Sequence, residues 1–138
     1  MSVLGSRSLS GARIASPLKP LVPGKRSQFV STLKELNSLF ESSSRHGAIK
    51  PRKILLRFTA SWCQPCQRIK PKFDSISVDS KYADTSFVTV DIDKGFDIAA
   101  KYNIKSVPTF VLLNGEHREL QRVTGGDMQA VEAALRQR

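Results

Sequence analysis

Residues 62–66, Trp62-Cys63-Gln64-Pro65-Cys66, hold both cysteines of this 138-residue chain. Thiols at this spacing are close enough to close a small disulfide loop or to share a metal ion. The flanks bear on the choice. Upstream, Ile54-Leu55-Leu56-Arg57-Phe58 reads as a short apolar strand that begins just after Pro51. Downstream, residues 67–80 carry Ile69, Phe73 and Ile76 at helical spacing. A strand, a CxxC and a helix form a redox dithiol motif. Cys63 then sits at a helix N-terminus, where free N–H groups and the helix dipole favour a thiolate. Pro65 fits the first turn, where its missing N–H costs nothing.

Two plainer readings stand beside this one. A lone CxxC is half of a tetrahedral zinc site, which takes four Cys or His ligands. The remaining candidates, His46 and His117, flank different segments and lack paired spacing. The cysteines could also be buried and inert, but that role requires neither the spacing nor the aromatic neighbour.

Phe58-Thr59-Ala60-Ser61-Trp62-Cys63-Gln64-Pro65-Cys66 resembles the active-site segment of the thioredoxin family. Further on, Ser106-Val107-Pro108-Thr109-Phe110 is similar to the family's cis-proline loop. Pro71 falls where family members kink the active-site helix, and Thr124-Gly125-Gly126 resembles the glycine turn bordering the substrate groove. The likeness runs from about residue 28 to the C-terminus. It implies an α/β thioredoxin fold, with a mixed central sheet of four to five strands flanked by helices. It also implies disulfide-containing protein substrates, a thioredoxin reductase as electron donor, a monomer, and no cofactor beyond a redox-active Cys63–Cys66 disulfide. Trp62, Val107 and Gly125 would rim the groove, and Pro108, if cis, would present the Val107 backbone to an extended substrate. Pro108 also keeps metal ions off the thiols in family members.

Three positions depart from the family's pattern. Gln64 replaces the usual glycine inside the motif and, with Pro65, is expected to modulate the pair. Arg57 stands where the family has a buried aspartate that accepts the resolving cysteine's proton. Thr89 stands where that aspartate's lysine partner is common. The pair is absent together, so the usual proton route does not carry over. A cation under the helix must reach solvent or a carboxylate, with Asp91 or Asp93 the expected partner.

Charge separates the chain into two parts. The formal net charge is +10, and Arg7, Arg13, Lys19, Lys25 and Arg26 supply half of it from residues 1–30, which contain no acid. The same stretch is rich in serine, glycine and proline. Residues 1–26 therefore read as a basic extension of transit-peptide type, with residues 27–138 as the folded domain. The expected location is mitochondrial, with chloroplast or cytoplasm as alternatives. No 7–15-residue apolar core marks a secretory signal, and no apolar run approaches a membrane span. Nucleic-acid binding is disfavoured because no aromatic residue precedes Phe29 to interleave with the basic ones. A hydrophobic content of 40% suits a single globular domain of this length.

The remaining chain alternates between helix and strand. Leu21-Val22 is read as an edge strand, Ser27 as the N-cap of a helix over 28–42, and 43–52 as a basic loop. A strand over 86–92 and a short helix over 96–102 lead into the proline loop. Strands 110–113 and 120–123 turn at Asn114-Gly115, and a helix over 128–136 closes the domain. The functional expectation is a thiol–disulfide oxidoreductase in which Cys63 attacks and Cys66 resolves. The alternatives are a binding module of the same fold with weak turnover, or a CxxC carrier of a metal or iron–sulfur cluster.

Overall fold

The computed structural model describes residues 27–45 and 53–137. In chain order the elements are β1 (Gln28–Val30), α1 (Leu33–Arg45), β2 (Lys53–Thr59), α2 (Gln64–Ser77), a 3₁₀ turn (Ser80–Tyr82) and β3 (Thr85–Asp91). They continue with α3 (Phe96–Lys101), β4 (Thr109–Asn114), β5 (Glu119–Thr124) and α4 (Met128–Arg136). The five strands form one sheet in the order β1-β3-β2-β4-β5. β1 and β2 run parallel to β3, whereas β4 is antiparallel to β2 and β5 to β4.

Side-chain alternation along the central strands builds a core on each face of this sheet. Leu56 and Phe58 of β2 join Val88, Val90, Val111 and Leu113 under Leu36, Leu39 and Phe40 of α1 and Ile98 of α3. Leu55 points the other way, with Phe87, Phe110 and Leu112, under Phe73 and Ile76 of α2 and Val131 and Leu135 of α4. Both faces of β2 and β3 are covered, which is why their sequences read as near-continuous apolar runs. The result is the expected α/β domain: a mixed five-stranded sheet with helices on both sides.

The first helix is the main correction. Residues 28–30 form β1 rather than the start of a helix, and Ser27 caps nothing: its Oγ lies 2.7 Å from Thr89 Oγ1. The helix begins at Leu33 because Thr32 and Glu35 make a capping box. Glu35 N–H donates to Thr32 Oγ1 at 3.0 Å, while Glu35 Oε1 accepts from the Ser31 and Thr32 amides at 2.6 and 3.2 Å. Phe29 mimicked a helical position, yet it is 65% exposed on the strand. The proposed strand at Leu21-Val22, the basic extension 1–26 and residues 46–52 lie outside the described residues. Residues 43–45 of the expected loop are helical.

Candidate active site

β2 ends at Thr59, and the chain turns at once into α2. The Cys63 amide donates to Ala60 O at 3.2 Å, and the Ile92 amide donates to Thr59 O at 2.9 Å, fixing the turn against the end of β3. Cys63 is the N-cap of α2, at the helix N-terminus as expected, and the helix itself starts at Gln64, three residues before the stretch that carries the helical spacing. The Cys63 backbone is extended, and its Sγ accepts the Cys66 N–H at 3.1 Å. Pro65 occupies the first turn, and Gln64 and Pro65 both face solvent. Cys63 and Cys66 are joined as a disulfide with Cα atoms 5.3 Å apart. Cys63 was expected to be exposed, but it is only 4% exposed and Cys66 1%. Ala60, Ile92 and Val107 close over the pair. The order of access is still the expected one.

The loop before β4 reaches the same place. The Val107–Pro108 peptide bond is cis, and the Val107 carbonyl oxygen lies 3.7 Å from Cys63 Sγ. Thr109 Oγ1 donates to Ser106 O at 2.8 Å, holding the loop from its far side. The Gly125 amide donates to Pro108 O at 2.8 Å, which brings the turn after β5 alongside. Gly125 has φ +100°, a conformation that side chains disfavour, so the glycine there is required by the turn. Trp62 is 64% exposed beside the disulfide, so it is a surface residue and not core. Its indole N–H donates to Asp93 Oδ2 at 2.9 Å, a partner the sequence did not signal. The structure thus gathers Trp62, Cys63, Cys66, Val107, Pro108 and Gly125 around one end of the sheet.

Arg57 is set apart from that cluster, and its expected partner was wrong. Asp91 Oδ1 accepts the Asp93 amide at 2.9 Å, and Asp93 itself holds Trp62, so both carboxylates are committed at the strand end. Arg57 is instead buried, 3% exposed, beside its cross-strand neighbour Thr89. Its Nε donates to Thr89 Oγ1 at 3.4 Å, and its guanidinium carbon lies 4.6 Å from the centre of the Phe73 ring on α2. Burial pulls its pKa down, and the carboxylate of Asp74 pushes it back up. Of the histidines considered for metal binding, His117 stacks on Phe40 at 3.9 Å, and His46 lies outside the described residues. Among the described residues no three His, Cys, Asp or Glu side chains are placed so that they could hold a metal ion.

Comparison with known proteins gives concordant results. The Thioredoxin family model matches residues 33–137. A peptide-N(4)-(N-acetyl-beta-glucosaminyl)asparagine amidase of Caenorhabditis elegans is 35% identical over 108 residues. That match covers 78% of this chain but only 16% of the amidase. A Thioredoxin H-type of Brassica campestris is 30% identical over 115 residues, covering 83% of this chain and 88% of its own length. The crystal structure of Thioredoxin NaTrxh from Nicotiana alata superposes with a TM-score of 0.69 at 28% identity, over 88% of this chain and 96% of that one.

Proposed function

The chain belongs to the thioredoxin family, and from that premise we propose that it reduces protein disulfides by dithiol–disulfide exchange. The observation that carries this reading is the Cys63–Cys66 pair at the N-terminus of α2, with Val107 O beside Cys63 Sγ. In the reduced protein the Cys66 N–H and the helix dipole stabilise a Cys63 thiolate. That thiolate attacks one sulfur of the substrate disulfide; the substrate S–S bond breaks, and the second substrate sulfur leaves as a thiolate. Cys66, deprotonated in turn, attacks Cys63 Sγ, releasing the first substrate sulfur and closing the Cys63–Cys66 disulfide. Two electrons pass to the substrate, and a thioredoxin reductase returns two to the pair.

The rim residues Trp62, Val107, Pro108 and Gly125 supply the substrate groove in this reading. An extended segment laid along Val107 pairs with its backbone, as in strand addition. Arg57 cannot act as the base for Cys66, so the proton goes to solvent water. The protein acts as a monomer, and residues 1–26 direct it to mitochondria, a reading supported by the composition of that segment alone.

The test is insulin reduction coupled to a thioredoxin reductase and NADPH. Steady turnover is expected; a folded, reducible protein that turns over no disulfide would leave the fold as a binding module. Cys63→Ser is expected to abolish turnover, because a hydroxyl is a far weaker nucleophile than a thiolate. Cys66→Ser is expected to accumulate a mixed disulfide visible on a non-reducing gel. Identical behaviour of the two variants would reverse or remove the assignment of roles.

A further inference from the structure

We propose that the cavity beside Arg57, on the α2 face of the sheet, binds a small carboxylate carried on an apolar body. The cavity has a volume of about 470 Å³ and lies between α2, β1 and the strand pair β2–β3. Arg57 lines its floor. Its only hydrogen bond among the described residues is the 3.4 Å contact from Nε to Thr89, and its terminal nitrogens are not among the sealed polar atoms left without a partner, so they stay accessible from the cavity side. It makes no ion pair there either. Arginine keeps its charge at any physiological pH, and a charge only 3% exposed with no carboxylate at ion-pair distance is costly. Four N–H donors in a rigid fork therefore face the cavity, and a carboxylate is the group whose two oxygens match that fork.

Among the described residues no carboxylate lies within ion-pair distance of Arg57, and Asp74 acts on it only as a more distant charge. Asp74 is the one acid lining the cavity, and its Oδ2 is held by Lys70 Nζ at 2.8 Å. Arg57 and Lys70 against Asp74 leave the cavity with one net positive charge. The segments flanking the described residues carry no acidic side chain, since residues 1–26 and 46–52 contain neither Asp nor Glu. The walls specify the rest of the ligand. Pro71 lines the cavity, and Phe29 and Val78, 65% and 56% exposed, stand at it as bare apolar surface. These three apolar residues stand beside the polar Ser27, Ser75 and Thr89, so the cavity offers an apolar patch next to its cation, which suits an organic acid better than an inorganic oxyanion. The cavity meets α2 from Lys70 onward, more than a turn beyond Cys66, so its ligand leaves the disulfide free.

The experiment is an amide NMR titration of the full-length oxidised protein with sodium benzoate, and separately with sodium phosphate at matched ionic strength. Benzoate is expected to give saturable shifts at Ser75, Val78, Thr89 and the Arg57 side-chain N–H, with phosphate at least tenfold weaker. Arg57→Met is expected to weaken benzoate binding at least tenfold. Val78→Glu, a change at an exposed position that sets a carboxylate at the cavity, is expected to do the same and serves if the buried substitution unfolds the domain. Absence of saturation, unchanged affinity in Val78→Glu or in folded Arg57→Met, or equal binding of phosphate would overturn the proposal. No arm of the experiment involves thiol chemistry, so its outcome is independent of the redox reading.

Discussion

Arg57 sits on the one strand that leads directly into the disulfide, and its charge bears on the chemistry there. It packs on Phe73, seven residues along α2 from Cys66, which at about 1.5 Å per residue is about 10 Å of helix. At about 10–15 Å, the span of helix back to Cys66 and Cys63, and with an effective dielectric constant of about 20, a unit charge acts on a thiolate with about 1–2 kcal/mol. The sign favours the thiolate, hence the reduced form, hence a more oxidising disulfide. The expected potential is therefore less negative than the about −270 mV of thioredoxin itself. Arg57→Asp reverses the charge and is expected to move the potential by a few tens of millivolts in the reducing direction, since about 30 mV corresponds to about 1.4 kcal/mol. A glutathione redox titration followed by the fluorescence of Trp62, the single tryptophan, measures both values. A wild-type potential at or below the thioredoxin value, or no shift in the variant, would remove Arg57 from the redox chemistry. The anomaly at this position was legible in the sequence, because an arginine interrupts an apolar strand. Its neighbours were not, because contact with Thr89, Phe73 and Asp74 depends on strand register and helix placement rather than on sequence distance.

Helix α1 shows where periodicity misleads at the scale of an element. Phe29, Leu33, Leu36 and Phe40 carry helical spacing across a boundary that the backbone places between Val30 and Leu33. Three residues are too few to display the two-residue period of a strand, so the helix pattern absorbed them. The local signal that separates them is Thr32-Leu33-Lys34-Glu35, whose Thr and Glu satisfy each other's amides. Thr32→Ala removes the acceptor for the Glu35 amide and is expected to cost about 1 kcal/mol. Thermal unfolding read by circular dichroism should show a lower midpoint with activity retained below the transition. An unchanged midpoint would mean that the contact from the Leu33 amide to Asp97 Oδ2, at 3.0 Å, is enough to start the helix. The other elements were legible to within about three residues, because their apolar runs are longer and end at turn residues such as Asn114-Gly115. The CxxC and the proline loop were legible as motifs; the Trp62–Asp93 bond that steadies the rim was not, since nothing local links a tryptophan to an acid on the next strand's end.

At the scale of the whole molecule, the charge of the chain divides close to where the described elements begin. The described elements begin at Gln28, and half of the net charge of +10 comes from the basic residues up to Arg26. Among the described residues both cores on the sheet are built from Val30 onward, and the disulfide, the Val107–Pro108 loop and Gly125 all lie beyond that point. Removing residues 1–26 therefore removes charge without removing any described core contact, and the truncated domain should fold and reduce insulin at a rate within about twofold of the full chain. Ser27 must be kept in that truncation, because its hydroxyl meets Thr89 at 2.7 Å over the Arg57 cavity. The removed segment should in turn be sufficient for targeting. Residues 1–26 fused ahead of a fluorescent protein are expected to bring it into mitochondria, because the segment is basic, serine-rich and free of acids. Replacing Arg7, Arg13, Lys19, Lys25 and Arg26 with glutamine in the same fusion should leave the reporter in the cytosol. A reporter that stays cytosolic with the native segment would reduce the extension to a solvated basic arm and leave the domain's chemistry untouched.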